Sequence, residues 1–243
     1  MRPIKWRQAG RRAARGFSLL EISLVLVVIG LIIGAVSIGK DVHRNAVYQR
    51  ITSEFVQGWL LAYDNYLAGT GVAPRDDVSA PTGCVQESCA TAISTPGTIL
   101  CDTDLRNAML AAGIGLPAGR AEGREDRYAY LDSNGLPHDL KVCFRNVRWS
   151  EPGAASGSYV ERSRNVMILT GLTPALAGYI DHYFDTVIDA RFGNVRQSDF
   201  AASAGTARQP WNRDERDDIA SNIGAAHDED QVVEVTAYMK MFR

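Results

Sequence analysis

No acidic residue occurs before Glu21 in this chain of 243 residues, while Arg2, Lys5, Arg7, Arg11, Arg12 and Arg15 all precede it. A one-sign segment of that kind reads as a basic leader and not as the start of a balanced globular surface. No proline falls between positions 17 and 68, so the commonest helix breaker is missing there. No cysteine precedes Cys84. The chain also lacks H-E-x-x-H, G-x-S-x-G and a phosphate-binding glycine loop, which removes the usual signatures of zinc peptidases, α/β-hydrolases and nucleotide-binding enzymes. No enzymatic activity and no cofactor is expected.

What is present begins with a long apolar run. From Ile22 to Ile38 only glycines, Ala35, Ser23 and Ser37 interrupt it, and Glu21 stands at its start. The stretch 17–38 holds 22 residues, and about 20 are needed to span a bilayer core. That is long for a signal-peptide core, and no A-x-A cleavage site follows it. The sequence therefore predicts a transmembrane helix over 17–39. Its basic flank would stay in the cytoplasm and the bulk of the chain outside. A plain anchor leaves Glu21 unexplained, because an acid at the centre of a spanning helix costs about 2.5–3.5 kcal/mol on insertion scales.

Gly16-Phe17-Ser18-Leu19-Leu20-Glu21, followed by the apolar run, resembles the N-terminus of type IV pilins and type II secretion pseudopilins. The resemblance covers about the first forty residues. It implies that a prepilin peptidase cuts between Gly16 and Phe17 and methylates the new N-terminus. Glu21 then becomes the fifth residue of the mature chain and pairs with the Phe17 amine of a neighbouring subunit, setting axial register. Many filament-forming pilins carry a proline in this helix. Its absence here points to a minor pilin or minor pseudopilin that inserts into, primes or tips a filament. The implied partners are the prepilin peptidase, other pilin or pseudopilin subunits, an inner-membrane assembly platform and the membrane itself. The implied location is the inner membrane, single-pass, with a periplasmic head, and then the filament. A pilin-anchored binding module, an adhesin or DNA-binding head, is the alternative.

Removing the six basic residues of the leader leaves 227 residues with 20 basic and 28 acidic side chains, a formal balance of −8. Nucleic acid is therefore not an expected partner, and Arg191, Arg196 and Arg208 read as surface arginines. Beyond Lys40 the pattern is amphipathic over 40–68. Val47, Ile51, Phe55, Trp59, Ala62 and Tyr66 recur every three or four residues and share one stripe. Gly69, Gly71 and Pro74 end it. The expectation is one helix of roughly fifty residues, about 75 Å long, packed on a head over 69–243.

The head reads as α+β with an antiparallel sheet. Asp102 is placed to cap a helix through Leu105, Met109 and Ala112. Strands are expected over 127–131, 140–149 and 166–170, the first two separated by Asp132-Ser133-Asn134-Gly135. Thr173-Pro174 starts a helix with Leu176, Ile180, Phe184 and Val187 on its apolar face. The alternation of Val233, Val235, Ala237, Met239 and Met241 marks a terminal strand that closes the sheet. Segments 150–163 and 201–230 read as exposed loops.

Cys84, Cys89, Cys101 and Cys143 are even in number and all follow the apolar run, as expected for two disulfides in an oxidising compartment. Four cysteines allow three connectivities. Cys84–Cys89 with Cys101–Cys143 is the first choice, and a four-thiolate zinc site is the rival despite the missing paired spacing. Asp181, Asp185 and Asp189 recur every four residues, which suggests either a calcium-collecting face or a solvated one. His43, His138, His182 and His227 are scattered, so no metal site is assigned. Intact-mass analysis of protein from a host with prepilin peptidase should show loss of residues 1–16 plus one methyl group. A chain still starting at Met1 would overturn the resemblance.

Overall fold

The computed structural model describes residues 18–132, 134–202, 208–211 and 234–241, except the side chains of 36–38, 40 and 41. The leader, Gly16, Phe17, His227, Val233 and most of the expected loop 201–230 lie outside the described residues. The chain divides into two compact units, 1–44 and 45–243.

Helix α1 spans Leu19–Arg50, a π-helical turn follows over Ile51–Val56, and α2 spans Gln57–Thr70. The single α-helix of roughly fifty residues is thus corrected to a run with a π segment. Thr52 and Ser53 donate their hydroxyls to the carbonyls of Tyr48 (2.8 Å) and Gln49 (2.7 Å). Such back-bonding competes with the α-helical ladder and favours a local widening. Gly71 ends α2 at φ 79°, in the left-handed conformation glycine adopts at low cost.

The expected membrane-spanning segment is also corrected. Among the described residues no helix is long and apolar enough to cross a membrane. The apolar stretch whose side chains are described, 19–35, contains Glu21. The expected single-pass inner-membrane location is not supported for the same reason.

Strands β1 (Arg127–Leu131), β2 (Pro137–Pro152), β3 (Tyr159–Leu172), β4 (Val195–Gln197) and β5 (Val235–Lys240) form one antiparallel sheet in the order β1-β2-β3-β5-β4. The terminal strand β5 does not close the sheet, because β4 pairs along its outer side. Much of the expected loop 150–163 is paired strand, with Pro152 opposite Tyr159. The signal was missed because this end of the hairpin is held by charge. Arg164 forks onto Glu151 (2.8 and 2.9 Å), and Arg148 lies 3.7 Å from Glu161. Cross-strand ion pairs support pairing without apolar alternation.

One sheet face carries Leu140, Val142, Phe144, Met167, Leu169, Ala237 and Met239. These share a core with Phe55, Trp59 and Tyr63 of the helical run and with Leu176 and Ile180 of α4, Pro174–Asp185. The Phe144 ring meets Tyr63 edge-on at 5.2 Å and Trp59 at 6.1 Å. The other face holds a smaller cluster of Cys143, Val147, Trp149, Val166, Ile168 and Ala201. Thr173 caps α4 by accepting the Leu176 N–H (3.3 Å). Helix α3 covers Asp102–Ala111, but Cys101 occupies its N-cap. Asp102, expected as the cap, instead pairs with Arg127 (2.9 Å) and Lys141 (2.8 Å).

Two buried asparagines tie the loop over 83–90 to the sheet. Asn165 accepts from Val85 N–H (3.2 Å) and from the Asn146 amide (2.8 Å), and donates to the Gly83 carbonyl (2.8 Å) and the Tyr63 hydroxyl (3.1 Å). Asn146 accepts from Ala90 N–H (2.8 Å) and Ser163 Oγ–H (2.6 Å). Burial, ahead of the opposing bond to Asn165, pushes the Tyr63 hydroxyl up to about 12. Asn165→Ala strands several of these groups at once and should cost about 3 kcal/mol, given roughly 1–3 for each buried group left unpaired. Urea unfolding with the disulfides intact measures it. An unchanged midpoint would show that the hub anchors nothing.

Candidate assembly interface

The first turn of α1 is a reciprocal cap. Ser18 N–H donates to Glu21 Oε2 (2.9 Å), and Glu21 N–H donates to Ser18 Oγ (3.2 Å). This is the S-x-x-E capping box, which satisfies two of the helix's orphan donors. The signature is present in the sequence, but the reading of Glu21 as a register charge passed over it. In the isolated chain Glu21 has a local task, worth about 1 kcal/mol by the usual cost of a lost cap.

Beyond the cap, residues 22–35 present apolar surface broken only by Ser23, Ala35 and two glycines. Twelve large apolar side chains between Leu19 and Ile33 are each at least 46% exposed, and Leu19 reaches 89%. At about 100° per residue they surround the helix instead of forming a stripe. A helix apolar all round is built to be buried all round, and exposed apolar surface on this scale marks an interaction site. Methyl groups added at Gly30 or Gly34 would meet nothing within 4 Å, so the chain's own packing does not require either glycine.

In the second unit the four cysteines are joined as Cys84–Cys89 and Cys101–Cys143. The second bond ties the start of α3 to the middle of β2. All four thiols are used, which disposes of the four-thiolate zinc alternative. Among the described residues no group of three or more His, Cys, Asp or Glu could hold a metal.

The three aspartates do not share the helix face expected for them. Helix α4 ends at Asp185, and Thr186 turns left-handed at φ 62°, so Asp189 leaves the helix. Asp185 accepts from Asn194 N–H (2.7 Å) and Val195 N–H (2.8 Å). Asp189 accepts from Arg191 N–H (3.0 Å) and Gln209 N–H (3.1 Å). Asp181 is fully buried and accepts from Trp211 Nε1–H (2.7 Å) and Asp189 N–H (2.6 Å). Burial pushes its carboxyl up to about 7, ahead of the bonds that oppose the shift. The carboxylates organise the segment after α4 by binding its backbone N–H groups. A cavity of about 320 Å³ beside them is lined by Asp185, Val187, Asp189, Phe192, Gly193 and Arg208. Its carboxylates are already engaged by those backbone donors.

The three arginines are also dispersed. Arg191 lies over the Phe200 ring at 4.9 Å. Arg208, at 3.8 Å from Asp189, is exposed. Arg196 is buried, contrary to its reading as a surface residue. It stacks on Trp149 at 4.2 Å and donates to the carbonyls of Gly193 (3.0 Å), Ser150 (2.9 Å) and Ala201 (3.1 Å). Burial lowers its guanidinium to about 10.

Among the histidines, His43 is exposed, and His182 bonds the Thr186 carbonyl at the end of α4 (2.9 Å). His138 is the unusual one. Nδ1 lies 3.0 Å from Glu234 Oε1 and Nε2 lies 3.1 Å from Asp132 Oδ2. An ionised carboxylate at each nitrogen can only accept, which favours an N–H on both and so the charged ring. Desolvation pulls its pKa down, but the bonds to Glu234 and Asp132 outweigh it and the net shift is upward. The contribution to stability is therefore complete below the ordinary histidine value of about 6.5 and is lost as pH rises through the folded-state pKa. As pH rises above about 6.5, the wild type should lose stability relative to His138→Gln. Urea midpoints across that rise test this. Parallel profiles for the two proteins would show that the ring is not charged.

No family model, curated protein or solved structure matches this chain.

Proposed function

We propose that the chain is a pilin-like subunit of a thin filament, pilus or pseudopilus, in which the apolar helix over 19–35 is buried among equivalent helices of neighbouring subunits. The observation that carries this reading is the belt of twelve exposed apolar side chains around that helix. Full burial of a Leu, Ile or Val stabilises by about 1.5–3 kcal/mol, so partial burial of the belt gives a large driving force for association. A belt without a polar side suits several neighbours better than one.

The remaining parts have defined tasks in this reading. A prepilin peptidase cuts between Gly16 and Phe17 and frees an amine one residue before the capping serine. Glu21 then exchanges its bond to Ser18 N–H for the Phe17 amine of a neighbour, which sets the axial position. An assembly platform and other pilin or pseudopilin subunits are the partners. The head, stapled by two disulfides, suits an oxidising compartment.

Glu21→Gln separates the two tasks of this carboxylate. Glutamine preserves the capping box but removes the counter-charge. It should be cleaved normally, yet its incorporation into sheared filaments should fall by about tenfold, the equivalent of about 1.4 kcal/mol. Glu21→Ala should fall at least as far. If Glu21→Gln co-purifies with filaments like wild type while Glu21→Ala does not, capping explains the residue and the register role is wrong. If neither chain co-purifies with other pilin-like subunits even as wild type, the filament reading itself fails.

A further inference from the structure

The sheet face that carries Trp149 and Ile168 also carries an excess of positive charge. Strand alternation, with the pairings Trp149↔Arg162, Val147↔Arg164, Arg145↔Val166, Val166↔Lys240 and Arg196↔Tyr238, places Arg145, Arg162, Arg164, Arg196 and Lys240 on it. Among the described residues, Glu151 is the single carboxylate within ion-pair distance of any of them. Arg164 lies at 2.8 Å from it, and Arg162 and Lys240 each at 3.5 Å. Arg145 instead donates to the Gly97 carbonyl (2.6 Å), and Arg196 bonds only carbonyls and the Trp149 ring.

Three cations on one carboxylate leave charge unbalanced. The Arg164 hydrogen bonds, opposed by burial, hold Glu151 at about 2, so among the described residues it supplies one full negative charge against three cations. The Arg162 side chain is 59% exposed, while Arg164 is partly exposed. Below them the Trp149 indole N–H is buried with no acceptor. A partly exposed cationic cluster with one shared counter-charge has donors free for oxygen acceptors from outside. The excess also runs against the acidic balance of the chain after the leader.

We infer that this face of β2, β3 and β5 docks an acidic peptide segment of a partner protein, with Arg162 and Lys240 as the contacting cations. A peptide fits the face better than a nucleic acid. Non-specific binding of single strands uses aromatic stacking platforms along a track of cations. Here Trp149 is fully buried beneath Arg196, and Tyr238 is partly buried. The cations cluster around Glu151 and do not form a track. A short acidic segment needs only a few bidentate or point-charge contacts. This inference is independent of the apolar helix and of the filament reading.

The test is fluorescence anisotropy of the full chain in nonionic detergent at low salt, with a labelled decaglutamate peptide as probe. A decathymidylate strand and a decaglutamine peptide serve as comparisons. Arg162→Gln should weaken decaglutamate binding about fivefold, and Arg162→Gln with Lys240→Gln by more than about tenfold, as expected for loss of one and two partly exposed charges. Arg50→Gln, which removes an equal charge from an exposed helical pair, should leave binding unchanged. Thermal melts of each variant establish that the fold is retained. Absence of decaglutamate binding by wild type overturns the inference. So does equal binding of decaglutamine, equal weakening by Arg50→Gln, or tighter binding of decathymidylate.

Discussion

The structure of the second unit depends on the packing of one aromatic helix stripe against the middle of one strand. Phe55, Trp59 and Tyr63 are fully or almost fully buried, and Phe144 of β2 receives two of the three rings. Trp59 also donates its indole N–H to the Glu125 carbonyl (3.0 Å), fixing the approach to β1. Space is tight on the same helix, since a methyl group at Gly58 would come within 2.7 Å of Pro117. Once this seam is set, the register of β2 with β3 sets which residues face the helix and which face away. The asparagine hub, the Cys101–Cys143 bond and the cationic face all follow from that division.

The two sheet faces serve different ends. The helix-facing side is apolar where it meets the helical run, and Asn146 and Asn165 form a hydrogen-bonded hub on it. The opposite side mixes a small apolar cluster with a cation stacked on Trp149 and a charge-dense hairpin end. Buried arginine is tolerated there because three carbonyls and an aromatic face take the place of water around its guanidinium. The same principle governs the segment after α4, where buried aspartates are matched to backbone N–H groups. In both places charge organises loops and does not gather a metal.

Where sequence reasoning succeeded, the signal was local. The alternation of Val235, Ala237 and Met239, the Thr173-Pro174 helix start and the stripe through Ile51, Phe55 and Trp59 each follow from backbone period and capping chemistry. Its failures came where a competing interaction decided. Asp102 is a good cap by type, but Arg127 and Lys141 draw its carboxylate away. The hairpin end over 150–163 lacks apolar alternation, yet ion pairs hold it in register. Asp189 stands one helical period beyond Asp185, but the left-handed turn at Thr186 removes it from the helix. The expected membrane-spanning helix failed because among the described residues no helix is long and apolar enough to cross a membrane. The S-x-x-E cap was legible and was overlooked because the same glutamate had a more conspicuous reading.

By itself the sequence determined the basic N-terminal segment, the apolar run with its single acid, the amphipathic continuation and the strand cores over 127–131, 140–149, 166–170 and 235–240. These depend on neighbours a few residues apart, and short-range periodicity encodes them. Only the tertiary structure decided that Arg196 is buried on Trp149, that His138 bridges two carboxylates and that several cations share Glu151. Each of these depends on which side chains the sheet order and register bring within about 4 Å. Residues as distant in sequence as Glu151 and Lys240 meet through β3, which lies between their strands, and no local pattern in either segment announces the encounter.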